Sequence, residues 1–442
     1  MSTRKSSARP RPSTWPRRKK PTRSRPTIRS GCGSGSGASS RRISRSSTRP
    51  EDGPRAVRVA LFTNNYVPFC GGVTTSVETL RRGLETRGHE AWVFAPRFRA
   101  GAADGPRVVR YPSIPAATYP EFALAVPFAP AISRRVRRLD VDVFHAHHPF
   151  LLGPAARRLA RRQRRPLVFT YHTRYDKYAH YVPFRRSLVE DVAVRLSTRF
   201  AAGADAVIAP SRVIRDELLG RGVSAPIAVV PTGVDLTRFR PGDAAAARWE
   251  LGLDPRDVVV LYVGRLDREK SVDRILLAFE RVAGTVPRAR LVVVGDGTQG
   301  DELRRRAGRS AISERVTFLG VRPHDTLPIC YQAADLFVFA SETETQGLVL
   351  AEAAACGLPA VAVAGPGCDE VVRDGETGVL TKGDPGGLAE AVIGVLLDAE
   401  RRALMGTRAR EVAEREFDMR LQVDRTLAVY EIARSRVAGH PR

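Results

Sequence analysis

The chain has 442 residues, 43% of them apolar, which is enough to bury two hydrophobic cores and predicts two domains. Its five cysteines are odd in number and form no C-x-x-C pair, which argues against a disulfide framework or a zinc site and fits a reducing compartment. No apolar run reaches the roughly 20 residues that a membrane-spanning helix needs, and the first fifty residues lack the apolar core of a signal peptide.

Most of the net charge of +25 lies in two segments. Residues 1–50 carry fifteen Lys or Arg and no acidic residue, and Ala131–Arg165 carries ten Arg against two Asp. Residues 1–54 are rich in Ser, Arg, Pro and Gly and too poor in apolar residues to offset the entropy of ordering, so they are predicted to form a disordered basic tail. A basic arm for nucleic acid or anionic lipid, an organelle transit peptide, a solvated extension and a misassigned start codon all fit this composition.

From Ala56 the chain alternates short β-rich runs with helical patterns, which predicts an α/β fold with parallel sheets. In the first half, an amphipathic helix over Val73–Arg87 ends at Gly88. The strands predicted there are Val57–Phe62, Glu90–Ala95, Val108–Tyr111, Val141–His145, Leu167–Tyr171, Ala206–Ala209 and Ile227–Val230. The pattern restarts after Pro241, with strands predicted at Val258–Val263, Arg290–Val294, Val316–Phe318, Leu336–Phe339 and Ala360–Val363. Two doubly wound halves predict a ligand in the cleft between them, at the carboxyl ends of the strands.

The segment Ser341–Gly357 reads S-E-T-E-T-Q-G-L-V-L-A-E-A-A-A-C-G and is the most informative part of the chain. A polar turn opens a predicted helix, Leu348–Cys356, whose first N–H groups can hold an anion. Glu344 and Glu352 form an E-x7-E spacing beside these donors, which suits a ligand with both phosphates and sugar hydroxyls. A surface loop with a solvated acidic pair is the simpler alternative.

Two further loops follow predicted strands. Arg265 and Lys270 place a guanidinium and an ammonium five residues apart after Val258–Val263, where they can straddle a diphosphate; a solvated charge run is the alternative. Gly71 and Gly72 open the first helix, where backbone N–H groups can approach a phosphate or an acceptor, although a role in the loop alone is also open.

The segment Tyr171–Tyr181 begins at a strand end and is dense in polar aromatic residues. His172 lies where ligands of α/β proteins bind, so it can contact a ligand or serve as a structural histidine.

Three other patterns are weaker. Gly295–Gly300 matches G-x-G-x-x-G but fits a routine strand-end turn, and Asp140-Val-Asp142 matches D-x-D but precedes its strand. The third pattern is a group of three histidines, His145, His147 and His148. These histidines have no carboxylate or cysteine partner at useful spacing, so no metal site is predicted.

Together these segments resemble the retaining, nucleotide-sugar-dependent glycosyltransferases of the GT-B fold that carry an E-x7-E motif, over roughly Ala56–Ala433. The T-E-T-Q-G spelling and the H-T-x-Y-x-x-Y-x-H-Y string resemble the branch that glycosylates membrane lipids, notably the 1,2-diacylglycerol 3-glucosyltransferases. The resemblance implies two Rossmann-like domains facing across a cleft. Residues 55–240 would bind the acceptor and 241–420 the nucleotide sugar, and a helix within 421–442, predicted at Leu421–Ala433, would cross back to the first domain.

The resemblance also implies roles for single residues. Glu344 would bind hydroxyls of the donor sugar and Glu352 the nucleotide ribose. His172 would contact the transferred sugar, and Arg265 and Lys270 would form the R-x4-K clamp on the diphosphate. Further donor contacts would come from Gly71, Gly72, Gln346, Gly347 and Leu348, and acceptor contacts from Tyr175, Tyr178 and His180.

The function that follows is transfer of a hexose, glucose from UDP-glucose, to a lipid such as 1,2-diacylglycerol with retention of configuration, using no cofactor and no metal. A GDP-mannose-dependent α-mannosyltransferase acting on phosphatidylinositol or another glycolipid is the alternative. Outside this class, a nucleic-acid-binding module would explain the basic tail, and an NAD-dependent oxidoreductase would explain the turn at Gly295. The protein is expected to be a monomer in the cytoplasm that docks on the anionic inner face of the membrane through Ala131–Arg165.

Overall fold

The computed structural model describes residues 56–69, 71–98, 105–115, 123–174 and 186–439, which all belong to one compact unit, Arg55–Arg442. The predicted basic tail lies outside the described residues, as do the predicted acceptor residues Tyr175, Tyr178 and His180.

The first half of the described chain is built on a parallel sheet of seven strands. Its strands run in the spatial order β3-β2-β1-β6-β7-β8-β9, and β4 and β5 form a separate antiparallel pair. The bounds are β1 Arg58–Phe62, β2 Glu90–Pro96, β3 Val108–Tyr111, β4 Ser113–Pro115, β5 Ala123–Ala125, β6 Val143–Ala146, β7 Leu167–Thr170, β8 Ala206–Ala209 and β9 Ile227–Val229.

The second half is built on a parallel sheet of six strands in the order β12-β11-β10-β13-β14-β15. Its central strands are continuous apolar runs because helices cover both faces of the sheet. The bounds are β10 Val258–Val263, β11 Ala289–Val294, β12 Val316–Gly320, β13 Leu336–Phe339, β14 Ala360–Val363 and β15 Gly378–Thr381.

Helices connect the strands as crossovers, which confirms the predicted α/β class with two parallel sheets. In the first half they are α1 Gly72–Thr86, α2 Pro130–Arg138, α3 Leu152–Gln163, α4 Arg186–Ala202 and α5 Arg212–Gly220. In the second half they are α6 Ala244–Glu250, α7 Val272–Thr285, α8 Gly300–Gly308, α9 Leu327–Gln332, α10 Leu348–Ala355, α11 Pro385–Leu397, α12 Ala399–Glu416 and α13 Met419–Gly439.

Helix α13 belongs to the second half by sequence but packs on the first. Val423, Tyr430 and Ala433 are buried in the same hydrophobic cluster as Val59 and Leu84 of β1 and α1. The helix is longer at both ends than the predicted Leu421–Ala433. Its position beneath the first sheet brings Tyr430 close to residues at the carboxyl ends of β6 and β7.

Three strands were not predicted from the sequence, namely the paired strands β4 and β5 and the edge strand β15. Strand β15 is a four-residue edge strand with three half-buried positions, so it carries neither a continuous apolar run nor a clear alternation. Gly378 is needed where β15 meets β14, because a Cβ atom there would lie 2.1 Å from the Ala360 carbonyl oxygen.

Candidate active site

The loop after β10 is held in place by the turn after β11. The buried carboxylate of Asp267 accepts hydrogen bonds from the backbone N–H of Thr298 (2.9 Å) and from its hydroxyl (2.8 Å). A Cβ atom on Gly295 would lie 1.9 Å from the Gly264 carbonyl oxygen, so the two loops touch through their backbones. The G-x-G-x-x-G sequence at Gly295–Gly300 therefore supports the neighbouring loop that carries Arg265.

The guanidinium of Arg265 is fixed by its own loop. It contacts the carboxylate of Asp267, and its Nη2 lies 2.8 Å from Oε1 of Glu269. The hydroxyl of Tyr262 donates a hydrogen bond of 2.9 Å to the Arg265 carbonyl oxygen. Arg265 thus stands at the carboxyl end of β10, oriented by two acidic side chains that would compete with a phosphate for it.

Lys270 joins the R-x4-K loop to the E-x7-E segment. It follows a short 3₁₀ turn, Arg268–Lys270, and its Nζ contacts Oε1 of Glu344 on the loop after β13. Burial opposes ionisation of Glu344, but the ammonium of Lys270 outweighs it, so the pKa of Glu344 lies below its ordinary value of 4.5. The pair places a cation and a carboxylate side by side at the carboxyl ends of β10 and β13 in the second sheet.

Glu352 has a different environment from Glu344. Its carboxylate accepts a hydrogen bond from the Tyr331 hydroxyl (2.7 Å) and lies 2.8 Å from Nε2 of His324, and the residue is 2% exposed. Burial lowers the pKa of His324, but the charge of Glu352 outweighs this and the net pKa is raised. The sequence pointed to Glu352 but not to these two partners, which come from a 3₁₀ turn and from α9.

The turn that opens α10 is shaped by Gly347. This residue has φ of 71° and precedes the first helical residue, Leu348. The side-chain amide of Gln346 is buried and bonds both backbone groups of Thr232, with its Oε1 2.9 Å from the amide nitrogen and its Nε2 3.0 Å from the carbonyl oxygen. Gln346 therefore ties the turn to the connection between the two halves, which leaves ligand contacts to the N–H groups of the first helical turn.

Two contacts link the halves at this point. The hydroxyl of Thr345 donates a hydrogen bond of 2.9 Å to the carbonyl oxygen of His172, which follows β7. The hydroxyls of Ser76 in α1 and Thr232 lie 2.8 Å apart, so α1 connects through Thr232 to Gln346. The structure therefore brings His172, Lys270 and Glu344 to the facing sides of one cleft.

Gly71 and Gly72 lie at the start of the helix whose next turn contacts this connection. A Cβ atom on Gly72 would meet no protein atom within 4 Å, and one on Gly71 would make an ordinary contact of 3.4 Å with Phe69. The packing of the described residues does not require glycine at either position. Space for a ligand beside the backbone remains the predicted reason for both.

Behind His172 lies a histidine layer, defined here as His145, His147 and His172. Nδ1 of His147 is 2.9 Å from Nε2 of His172, and the two rings are stacked with centroids 5.2 Å apart. Burial lowers the pKa of both residues well below 6.5, so both are neutral. The sequence analysis considered His147 only as one of three histidines that form no metal site, because its contact with His172 depends on the pairing of β6 with β7.

The remaining polar patterns have structural roles. The carboxylate of Asp142 accepts a hydrogen bond of 2.8 Å from the Arg58 backbone N–H, and Asp140 pairs with Arg165 at 2.9 Å. Within the described ranges, no group of three or more His, Cys, Asp or Glu side chains is arranged to hold a metal ion. Metal independence of the reaction stays a prediction.

Comparison with known proteins identifies the family. Residues 70–238 match the model described as Glycosyltransferase Family 4, and residues 243–412 match the Glycosyl transferases group 1 model. An α-monoglucosyldiacylglycerol synthase from Streptococcus pneumoniae is 31% identical over 347 residues, which span 76% of this chain and 78% of that protein. The chain belongs to the GT-B glycosyltransferases.

Two further comparisons agree with this assignment. A GDP-mannose-dependent α-(1-6)-phosphatidylinositol monomannoside mannosyltransferase from Mycolicibacterium smegmatis is 33% identical to this glycosyltransferase, covering 80% of this chain and 93% of the relative. The crystal structure of Anabaena HepE in complex with UDP and glucose superposes with a TM-score of 0.67 at 25% identity, covering 84% of this chain and 99% of HepE. The predicted GT-B fold with two Rossmann-like domains is confirmed.

Proposed function

We propose that this glycosyltransferase moves glucose from UDP-glucose to the hydroxyl of a membrane lipid such as 1,2-diacylglycerol, with retention of configuration and without a metal. The pneumococcal relative, whose name describes a glucosyldiacylglycerol synthase, supports the acceptor. The similarity to HepE, which binds UDP and glucose, supports the donor.

The contact between Lys270 and Glu344 carries the proposal. It brings the two sequence motifs into one site, although the residues are 74 positions apart in the chain. A diphosphate entering the cleft would attract the ammonium of Lys270 and the guanidinium of Arg265 away from their carboxylates. Glu344 would then be released to accept hydrogen bonds from hydroxyls of the donor sugar.

The reaction fits a front-face substitution. The bond between the anomeric carbon and the phosphate oxygen breaks, and the lipid oxygen forms a new bond to that carbon from the same side. The departing phosphate oxygen takes the proton of the lipid hydroxyl. Arg265, Lys270 and the N–H groups at the start of α10 stabilise the negative charge on the leaving nucleotide. Closure of the two halves would exclude water and limit hydrolysis.

Neutral His172 suits a neighbour of the transferred sugar. An uncharged imidazole can hydrogen-bond a sugar hydroxyl without repelling the positive charge that develops at the anomeric carbon. The bond from Thr345 to the His172 carbonyl oxygen holds it opposite the E-x7-E segment.

Membrane docking would be electrostatic. In α2, Val136 is buried, and Ile132 and the following residue Leu139 pack on the core, so the apolar face of this helix is used within the protein. The arginines on its other face, Arg134, Arg135, Arg137 and Arg138, are exposed. None of the helices in the described ranges is both long and apolar enough to cross a bilayer.

A groove on α3 extends this basic surface. It has a volume of about 320 Å³ and is lined by Pro154, Phe200 and four arginines, Arg157, Arg158, Arg161 and Arg162. Phe128, which is 73% exposed, precedes α2 and offers an apolar contact at the edge of the same surface. The combination suits a cytoplasmic enzyme that rests on an anionic leaflet.

A mannosyltransferase is the second candidate. The mycobacterial relative is slightly more identical to this chain than the pneumococcal one, and the match spans more of its length. The residues that would bind diphosphate and sugar serve either donor, so the nucleotide base and the hexose must be decided by experiment.

The test incubates the purified protein with radiolabelled UDP-glucose, UDP-galactose or GDP-mannose and vesicles containing either diacylglycerol or phosphatidylinositol. Label from UDP-glucose in the diacylglycerol lipid fraction, undiminished by EDTA, is the expected result. Transfer only from GDP-mannose would establish the second candidate, and no lipid label from any donor would overturn the lipid acceptor. The anomeric configuration of the product, read by NMR, tests retention.

A pair of variants links the activity to the site. Glu344→Gln should lower transfer by at least about 100-fold while the fold persists, because the neutral amide neither pairs with Lys270 nor accepts as strongly from the sugar. Glu342→Gln is the matched control, since Glu342 lies two residues away, is half exposed and pairs with Arg274. Near-normal turnover of the Glu344 variant would remove this residue from the site.

A further inference from the structure

The histidine layer is fixed firmly at one end. Nδ1 of His145 lies 2.8 Å from the Tyr430 hydroxyl of α13, and its Nε2 lies 2.7 Å from the Thr170 hydroxyl of β7. Both ring nitrogens of His145 are therefore engaged. The ring of His147 lies against it with centroids 4.2 Å apart, so His147 packs on a rigid support.

His147 connects this support to His172. Its Nδ1 faces Nε2 of His172 at 2.9 Å. Its other nitrogen, Nε2, is buried and has no hydrogen-bond partner among the described residues. His147 also lines a small cavity of about 10 Å³ with polar side chains that include Ser76, Thr232 and Gln422, roughly the room that one water molecule needs.

The hydrogen bond between the two facing rings uses one proton, which either ring can donate. A neutral imidazole carries one N–H, so a hydrogen bond between Nδ1 of His147 and Nε2 of His172 requires one of them to donate and the other to accept. If His147 donates, Nδ1 of His172 must carry the proton of the second ring and is a donor. If His172 donates, its Nδ1 is an acceptor and Nε2 of His147 carries a proton towards the interior.

We propose that His147 is a positioning residue that holds the imidazole of His172 in one orientation and one tautomer. The ring nitrogen of His172 that remains for the substrate would then present a fixed hydrogen-bonding character to the donor sugar. A water molecule in the cavity, bound to Nε2 of His147, would complete the chain of hydrogen bonds. The inference rests on the proposed function only through the role of His172.

The interaction can be measured in the unmodified protein without any assay of activity. With ¹⁵N-labelled histidine, a hydrogen bond between the two rings gives a scalar coupling between Nδ1 of His147 and Nε2 of His172. The ¹⁵N shifts of His172 should show a single neutral tautomer. Absence of the coupling, or a mixture of tautomers at His172, would overturn the proposal even if no variant folds.

Variants then test the consequence for catalysis. His147→Phe keeps the ring volume but removes the hydrogen bond, and it should lower kcat at least about tenfold with KM for the nucleotide sugar almost unchanged. His147→Asn places an amide near the position of Nδ1 and should recover kcat to within about threefold of the unmodified enzyme. A merely structural role for His147 would give the opposite order, because Phe keeps the ring volume in this buried position and Asn does not.

Tyr430→Phe is the matched control, because it removes a hydrogen bond from the same buried layer without touching His172. It weakens the support behind His147 but keeps the bond between His147 and His172, so it should lower kcat much less than His147→Phe does. Equal loss of kcat in Tyr430→Phe and His147→Phe, or equal activity of the Phe and Asn variants at position 147, would contradict the proposal. If no transferase activity is found, the proposed function fails, while the coupling measurement still decides whether His147 positions His172.

Discussion

Glu344 can remain charged within the protein because Lys270 lies against it. The two side chains are only 17% and 13% exposed, so each charge is largely removed from water and depends on the other. Breaking such a pair leaves an uncompensated buried charge, which typically destabilises a protein by about 3–5 kcal/mol. The pair therefore links the stability of the site to its chemistry.

The pH dependence of this pair can be predicted. The pKa of Glu344 lies below 4.5, so its stabilising contribution is present above pH 4.5 and is lost as the pH falls through the lowered value. Lys270→Met removes the main charge that offsets burial and leaves only the Ser341 hydroxyl and the Arg265 charge to favour ionisation, so the ionised carboxylate destabilises the variant at neutral pH. We expect a loss of about 3 kcal/mol in the free energy of unfolding at pH 7, shrinking as the pH approaches 4, measured by urea titration.

The double variant Lys270→Met with Glu344→Gln controls this experiment. The double variant has no carboxylate at position 344. Its loss of unfolding free energy relative to the unmodified protein should therefore not shrink between pH 7 and pH 4, as the loss in Lys270→Met does. A loss in Lys270→Met that stays constant from pH 7 to pH 4 would show that the ion pair is not its cause.

At the scale of secondary-structure elements, the site depends on how loops after neighbouring strands support one another. The turn after β11 holds the Arg265 loop through Asp267, and the loop around Gly367 packs on the turn that opens α10. A Cβ atom on Gly367 would lie 2.5 Å from the Gln346 backbone nitrogen. These contacts between loops preorganise the N–H groups at the start of α10.

Gly347→Ala tests this arrangement. Gly347 has φ of 71°, and a Cβ atom there would lie 3.0 Å from both the Gly367 carbonyl oxygen and Leu350. We expect the free energy of unfolding to fall by about 1–2 kcal/mol. Urea titration measures the change.

Gly284→Ala provides the control in helix α7. A Cβ atom on Gly284 meets no atom within 4 Å and the residue is helical, so alanine should stabilise the protein by about 0.5–1 kcal/mol. An equal effect of the two substitutions would mean that the backbone of Gly347 is not constrained.

At the scale of the whole molecule, polar contacts link the two halves in addition to the apolar packing of α13 on the first half. Oε1 of Glu370, in the second half, accepts hydrogen bonds from the backbone N–H groups of Arg212 (2.6 Å) and Val213 (3.2 Å) at the start of α5. A carboxylate at a helix N-terminus is favoured by the exposed N–H groups and the helix dipole. Glu370 thus fastens the second half to the first at the start of α5.

Glu370→Ala should shift the enzyme towards a more open cleft. Loss of about 1 kcal/mol would change the ratio of closed to open forms about fivefold. We expect a larger radius of gyration in small-angle X-ray scattering and faster hydrolysis of the nucleotide sugar without acceptor. Glu376→Ala is the control, since Glu376 pairs only weakly, at 3.7 Å, with Arg373 of its own segment. Identical scattering of both variants and the unmodified protein would exclude this role.

A separate prediction concerns membrane binding by the basic surface of the first half. Replacing Arg134, Arg137 and Arg138 by Gln should weaken binding to vesicles containing anionic lipid by roughly 1 kcal/mol per charge and leave unfolding unchanged. Sedimentation with vesicles over a range of salt concentrations measures the loss. Three exposed arginines of the second half, Arg305, Arg401 and Arg408, provide the matched triple substitution, which should bind normally. Equal weakening by both triple variants would point to net charge alone.

Much of the fold follows from local patterns. The apolar run Val258–Val263 must be a buried strand because it has no polar face, and the turn at Gly264 must end it. The carboxyl ends of parallel strands share one edge of a sheet, so Arg265 and Glu344 could be assigned to one side of the cleft from sequence positions alone. The edge strand at Gly378 escaped prediction because its pairing with β14, rather than its composition, makes it a strand.

The sequence by itself determined the two parallel sheets and the motif residues at their carboxyl ends, because strand and helix periodicity and short spacings are local properties. The tertiary structure decided which side chains meet. It paired Lys270 with Glu344, placed His324 and Tyr331 on Glu352, set His147 against His172, and buried the apolar face of α2. These contacts join residues that are far apart in the chain, and their geometry arises only when the strands pair and the two halves close on each other.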